Sequence, residues 1–267
     1  VKDESFEVIA VVTQPDRPAG RHATVTPPPV KAAATALGMT DVKQPEKLAE
    51  PSFQDWIKHV GASCDAFVVV SYGKILPQWL LDLPKNGVIN VHGSLLPRWR
   101  GPSPIQAAIA AGDAKSGVTI MQLDAQMDHG PVLALVETAI RPDDNAAALH
   151  DRLAELGALL LADTLSDYLD GRLEPVEQDH ARATVCKILT REDGKIDWSR
   201  PAHEIERKIR AYDPWPGCWT MIGDKRLKIH KASVIDGDAA FSPGQCFVFG
   251  KQPAVACGDG TGLLLTD

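Results

Sequence analysis

Asn90 and His92 stand one residue apart in Val88-Ile89-Asn90-Val91-His92, and Asp128 stands in Met127-Asp128-His129-Gly130. The first run reads as a short apolar strand of the kind buried inside an α/β sheet, closed by turn formers at Gly93, Ser94 and Pro97. Side chains alternate along a strand, so Asn90 and His92 point to the same side. A carboxamide and an imidazole are thus presented together at a strand end, where open α/β sheets place their ligands. The amide can donate to an oxygen developing negative charge, and the imidazole can donate or shuttle a proton near neutrality. The carboxylate can fix the imidazole tautomer or help remove a proton. None of the three is a strong nucleophile. The set therefore suits attack by a substrate's own nucleophile on a carbonyl, with the oxyanion held by Asn90 and His92.

Other readings of these residues stay open on the local pattern alone. Asx and His side chains at strand ends also satisfy backbone groups. His92, His129 and Asp128 have the composition of a metal site but no motif, and no metal is expected. Ser94 lacks the G-x-S-x-G elbow and reads as a turn-capping or ligand-contact serine.

The elements that must position this set follow from periodicity and punctuation. Strands are expected at Phe6 to Thr13, Asp65 to Ser71, Val88 to His92, Gly117 to Leu123 and Pro131 to Thr138. Helices are expected at Val30 to Leu37, Pro51 to Val60, Ile105 to Ala110 and Asn145 to Leu169, the last stopped by Gly171. Alternation of this kind predicts an α/β domain, a Rossmann-like and mostly parallel sheet with helices on both faces, over residues 1–175. Residues 176–205 read as a polar linker. From 206 to 267, a short helix, the rigid turn Asp213-Pro214-Trp215-Pro216-Gly217 and glycine-broken strands predict a small antiparallel OB-like β-barrel.

At 267 residues the chain can bury a full core without disulfides or metals. Its five cysteines are odd in number and form no CxxC pair, so a reducing cytoplasm is the expected compartment and structural zinc is not. No apolar run is long enough for a membrane helix, and Val1-Lys2-Asp3-Glu4-Ser5 is not a signal peptide. A net charge of -7 argues against a general nucleic-acid coat, yet Lys225, Arg226, Lys228, His230 and Lys231 crowd into seven positions. Screening confines exposed charges to about 8 Å at physiological salt, so such a local cluster can outweigh the global sign.

The run Asn90-Val91-His92-Gly93-Ser94-Leu95-Leu96-Pro97-Arg98-Trp99-Arg100-Gly101-Pro102-Ser103-Pro104-Ile105 resembles the signature of the formyltetrahydrofolate-dependent formyltransferases. Gly117-Val118-Thr119-Ile120-Met121 and Met127-Asp128-His129-Gly130 resemble its continuation. Thr13 to Arg21, Asp193 to Trp198 and Ile209 to Gly217 resemble the branch of that family that acts on charged tRNA, so the likeness spans almost the whole chain. The resemblance implies transfer of a formyl group from 10-formyltetrahydrofolate, a co-substrate, to the α-amino group of initiator methionyl-tRNA by a monomer in the cytoplasm. It implies that Asn90 and His92 stabilise the oxyanion while Asp128 positions His92 and assists proton removal. The aminoacyl amine has a pKa near or below that of an ordinary α-amine, about 7.7–8.0, so mild base assistance suffices.

Carried over in the same way, Tyr72, Gly73, Ile75 and Leu76, with Ser94, Leu95, Leu96, Pro97, Leu123 and Asp124, would bind the folate. Ordinary core packing is the rival reading for Ile75, Leu76 and Leu123, and a turn role for Asp124. Arg17, Arg21, Arg98, Arg100, Lys225, Arg226 and Lys228 would contact tRNA, with Arg21 expected to matter most. Lys43 and Lys47 could extend the basic face, while Trp198, Trp215 and Trp219 are expected to pack rather than stack on bases. The resemblance also implies a glycine-rich strand and loop before Val1 and more barrel beyond Asp267. The first domain is thus expected to lack its first strand, baring neighbouring strand edges, and the barrel to be truncated. Rival functions are formylation of a smaller amine, hydrolysis of formylfolate, or tRNA or folate binding without catalysis.

Overall fold

Proline, glycine and apolar runs lay out the elements. The structure, a computed structural model, describes residues 6–19, 23–236 and 241–266. Strands β1 (Val11–Val12), β2 (Arg17–Ala19) and β3 (Thr24–Thr26) are followed by helix α1 (Pro29–Ala36), β4 (Val42–Lys43) and α2 (Pro51–Gly61). Then come β5 (Phe67–Val70), α3 (Gln78–Leu81), β6 (Val88–His92), α4 (Pro104–Ala111), β7 (Lys115–Gln122), β8 (Val132–Ala139) and α5 (Ala146–Leu169). The remainder holds α6 (Ala202–Ala211) and six strands: β9 (Cys218–Ile222), β10 (Lys225–Ile229), β11 (Ala232–Ile235), β12 (Cys246–Phe249), β13 (Gln252–Ala256) and β14 (Gly262–Leu265).

Proline opens α1, α2 and α4, where its missing N–H would have had no helical partner. Before α5, the Asn145 side-chain oxygen accepts the Ala148 N–H at 2.9 Å. The helix closes as Gly171, at φ +68°, donates to Tyr168 while Arg172 donates to Asp167. Only glycine adopts that backbone without cost, which is why the helix stops there.

Two compact units share the chain in alternating segments. One gathers Val1–His92, Ile120–Ala134 and Leu160–Glu177; the other gathers Gly93–Thr119, Leu135–Leu159 and Gln178–Asp267. In the first, Phe53, Ile57 and Leu80 form a buried cluster against which Val12, Trp56, Phe67 and Leu76 pack. Each such side chain removed from water contributes about 1.5–3 kcal/mol, which holds α2 and α3 to β1 and β5.

The expected mostly parallel sheet is corrected by the strand order β5-β6-β7-β8. β5 and β6 run parallel, as do β1 and β4 in a separate pair. Beyond β6 the sheet is antiparallel. Leu123, just after β7, donates to Val88 at the start of β6, and Gln122 donates to Pro131, just before β8. For β7 and β8 the reason is length: the nine residues between them cannot make a helical crossover and must turn back. Strand β1 is also far shorter than the expected Phe6 to Thr13: its ladder with β4 registers Val11 and Val12, and Thr13 adds one last N–H bond to Lys43.

In the second unit the expected barrel is not formed. Strands β11-β14-β13-β12 make an open antiparallel sheet, and β9 and β10 make a hairpin of their own. Among the described residues β11 and β12 remain sheet edges. Short strands broken by glycine are common to barrels and open sheets, and closure depends on edge pairing between residues distant in sequence. The core here is the stripe Ala202, Ile205 and Ile209 of α6, spaced one face apart, against Cys218, Ile229, Cys257 and Leu263.

Candidate active site

Strand β6 carries Asn90 and His92, 9 % and 6 % exposed, at its carboxyl end. The loop after β7 returns Asp128 to them. Its Oδ1 lies 3.6 Å from His92 Nδ1 and 3.4 Å from Asn90 Nδ2, which donates to it. The structure therefore brings the sequence-predicted trio together inside one unit. An amide has two N–H groups, so Asn90 can hold Asp128 with one and offer the other to a substrate oxygen. With Nδ1 turned to the carboxylate, Nε2 is the ring nitrogen on the far side, and a ring protonated at both nitrogens can donate to Asp128 with one and to a substrate oxygen with the other.

Asp128 adopts φ +50°, a left-handed backbone that costs a non-glycine residue about 1–3 kcal/mol. The loop around it over-determines that conformation. A Cβ on Gly130 would lie 2.2 Å from the Gln122 carbonyl oxygen, so only glycine lets the two chains approach. Asp124 braces the other side, accepting from the Gln126 N–H at 2.8 Å and lying 2.7 Å from His129 Nδ1. Asp124 thus has a structural use, the turn role weighed against folate binding.

The remaining folate candidates scatter. Leu123 and Asp124 line a cavity of about 490 Å³ with Lys85, Val88, Gln122, Pro131 and Tyr168. Leu76 packs into the Phe53 cluster, whereas Ile75 is 92 % exposed. Gly73 has φ +75°, and the Tyr72 carbonyl accepts from Gln14 Nε2 at 2.6 Å. Burial pushes the Tyr72 phenol up, and its hydroxyl finds no partner among the described residues.

In the second unit Ser94 Oγ donates to the Arg98 carbonyl at 2.6 Å, which is the turn-capping use rather than that of a nucleophile. Thr119 Oγ1 donates to the Ser94 carbonyl at 2.7 Å and accepts from the Leu96 N–H at 3.1 Å. Leu95 packs where a Cβ on Gly117 would meet it, Leu96 is buried, and the Leu96–Pro97 peptide is cis.

The expected tRNA-contacting cations also differ in their surroundings. Arg98 donates through Nε and Nη2 to both oxygens of Asp113, at 2.8 and 2.7 Å, and lies 4.3 Å over the Trp99 ring. Burial pushes the Asp113 carboxyl up, but hydrogen bonds from Arg98 and Trp99 together hold it below the usual carboxylate range. Arg100 is buried, donating to Gln178 Oε1 and His180 Nδ1 at 2.7 and 2.8 Å. Arg17 pairs with Glu46 at 2.7 Å on an exposed β2-β3 hairpin. Arg21 lies outside the described residues. Lys225, Arg226 and Lys228 are exposed on β10.

Sequence reasoning missed Asp113, Thr119 and Tyr168. Tyr168 donates to the Asn86 carbonyl and accepts from Gln122 Nε2 at 2.5 Å. A threonine amid the apolar run Val118-Thr119-Ile120 was the one signal available; Asp113 and Tyr168 reach their partners only through folding. Among the described residues no group of three His, Cys, Asp or Glu could hold a metal ion, and no helix is long and apolar enough to cross a membrane.

A buried amide and imidazole on a strand end meet a partly buried carboxylate on the facing loop, a set chemically suited to acyl transfer by a substrate's own nucleophile. The model of the family described as formyl transferase matches residues 1–165, and that of its C-terminal domain matches residues 188–266. Methionyl-tRNA formyltransferase of Myxococcus xanthus is 46 % identical over 98 % of this chain and 83 % of its own length. That of Roseiflexus sp. is 47 % identical over 100 % of this chain and 81 % of its own. The chain belongs to the formyl transferase family, in its methionyl-tRNA formyltransferase branch. Solved structures share the fold at low identity. WlaRD, a sugar 3N-formyl transferase, has TM-score 0.68 and 13 % identity, covering 98 % of each chain. HypX from Aquifex aeolicus, in complex with tetrahydrofolic acid, has TM-score 0.65 and 17 % identity over 96 % of this chain and 43 % of its own.

Proposed function

We infer that this chain transfers the formyl group of 10-formyltetrahydrofolate to the α-amino group of initiator methionyl-tRNA. The observation that carries the reading is the triangle of Asn90, His92 and Asp128, the set such a transfer needs. The neutral amine attacks the formyl carbon, and a C–N bond forms as the carbonyl oxygen becomes an oxyanion. Asn90 Nδ2 and His92 donate to that oxygen. Asp128 holds the imidazole and takes up the proton that the attacking amine loses. Collapse of the intermediate breaks the bond to folate N10, and that proton passes to the departing nitrogen.

The cavity bounded by Val88, Leu123, Pro131 and Tyr168 is our candidate for the pterin ring. Its volume lies within the range of small-ligand pockets, about 300–1,000 Å³, and its Leu123-Asp124 wall begins the loop that carries Asp128. The orphan hydroxyl of Tyr72 is a further group a ligand would satisfy. Arg17, Arg21 and the β10 cations are proposed to meet tRNA, and the chain is proposed to divide into a catalytic domain over 1–175, a linker to 205 and a second domain over 206–267. Five free thiols suit work in the cytoplasm.

The test is formyl transfer from 10-formyltetrahydrofolate with charged initiator tRNA, free methionine and glycinamide ribonucleotide as parallel acceptors. Product on the charged tRNA alone is expected. Transfer to a small amine instead, or formate released without an acceptor, would replace this reading with one of its rivals.

A further inference from the structure

The second unit holds a cavity of about 370 Å³ lined by Arg191, the Pro214 to Gly217 turn, Trp219, Arg226 and Lys228. Sequence reasoning expected both of its tryptophans to pack. The structure separates them: Trp219 is 7 % exposed and Trp215 is 51 % exposed. Trp215 is not exposed because its backbone is loose. Pro214 and Pro216 restrict φ on either side, and the Gly217 N–H closes on the Tyr212 carbonyl at 2.8 Å. Asn145 Nδ2 donates to Asp213 at 2.6 Å, and a Cβ on Gly194 would lie 2.0 Å from the Gly217 carbonyl. An indole left half in water on so firm a base loses little entropy when a ligand covers it.

The charges are placed with equal definition. Strand β10 pairs with β9 so that Lys228 lies opposite Trp219 and Arg226 opposite Met221, which puts both cations on the Trp219 face. The Arg226 guanidinium sits 3.8 Å over the Trp219 ring. Its side chain is still 48 % exposed, so one face of the guanidinium is covered by indole while the other stays open. Among the described residues no carboxylate lines the cavity. Glu192, which approaches Arg226 Nη2 at 3.7 Å, is 74 % exposed and contributes little.

We propose that this cavity takes one unstacked nucleotide of an RNA, with its base stacked on the open face of Arg226 against Trp215 and its phosphate on Lys228 and Arg191. Planar cations and free aromatic faces beside unpaired positive charge are what bases and phosphates recognise together. An acidic peptide would use the charge and leave the stacking faces idle, and the cavity is too small for a duplex. The proposal rests on the reading of tRNA as substrate and adds to it a nucleotide subsite.

Binding of uncharged initiator tRNA to the full chain tests it, with a short oligouridylate and an oligoglutamate peptide as competitors. Trp215→Ala should weaken tRNA binding about tenfold, as expected for loss of one stacked base, and Trp215→Phe should recover most of it. Lys228→Gln should lower the slope of log K against log salt by about 0.7, while KM for the folate donor stays unchanged in all variants. Thermal melts check folding; should Trp215→Ala not fold, Arg226→Gln and Lys228→Gln carry the test. Wild-type affinity in these variants, equal loss in the alanine and phenylalanine forms, or displacement of RNA by oligoglutamate but not oligouridylate would overturn the proposal. Formyl transfer by the unaltered chain is measured alongside. If it occurs while the variants bind tRNA normally, only the nucleotide subsite fails; if it never occurs on tRNA, the functional reading fails.

Discussion

At 3.6 Å from His92 and 3.4 Å from Asn90, the Asp128 carboxylate is close enough to orient both groups and far enough to tighten when substrate arrives. Removing one donor to a developing oxyanion costs about 10²–10³ in turnover. His92→Ala and Asn90→Ala should therefore lower kcat by about that factor and leave the tRNA Kd within about twofold, as read by single-turnover kinetics and direct binding. Comparable losses of kcat and of thermal stability would instead make these residues structural. Gly130→Ala tests the loop. Its new Cβ would meet the Gln122 carbonyl at 2.2 Å, so backbone rather than a flexible side chain must yield and Asp128 moves with it. Turnover should fall at least tenfold while far-UV circular dichroism is unchanged.

Among the elements, α5 is held at its start by a single buried carboxylate. Asp144, 4 % exposed, accepts from the Arg141 N–H at 2.7 Å and from Arg152, whose guanidinium holds the carboxyl below the usual carboxylate range. Breaking such a pair strands the remaining charge, and Asp144→Ala should lower unfolding stability at pH 7 by about 3 kcal/mol in urea titrations. Because the folded-state pKa is depressed, this contribution is fully present above the unfolded value of about 3.9 and is lost as pH falls through the folded one. The gap between wild type and variant should thus close below about pH 4. A gap that persisted in acid would mean that packing, not charge, is responsible.

For the whole molecule, the net charge of -7 and a tRNA partner are reconciled by local placement. Lys225, Arg226 and Lys228 are exposed on one strand, whereas Arg98 is committed to Asp113 and Arg100 is buried among Gln178 and His180. Few phosphate contacts predict a shallow but definite salt dependence. Raising salt from 50 to 200 mM should weaken tRNA binding about tenfold or more for two to three contacts, measured by filter retention. A flat profile would remove the β10 cations from the interface.

The amino-acid sequence by itself determined the strand Val88 to His92 and the facing pair Asn90 and His92, while the partnership with Asp128, distant in sequence, was implied only by the family resemblance. Alternation along a strand and the chemistry of three side-chain types are local properties. It also marked helix starts and stops, since proline and glycine act on their own backbone. Which strands run antiparallel, whether the last sheet closes, and that Asp113, Thr119 and Tyr168 brace or line the sites were decided only by tertiary structure. So was the difference between Trp215 and Trp219, two tryptophans four residues apart with opposite fates. Each of these depends on which residues distant in sequence come to share an edge or a cavity, and no local pattern encodes that.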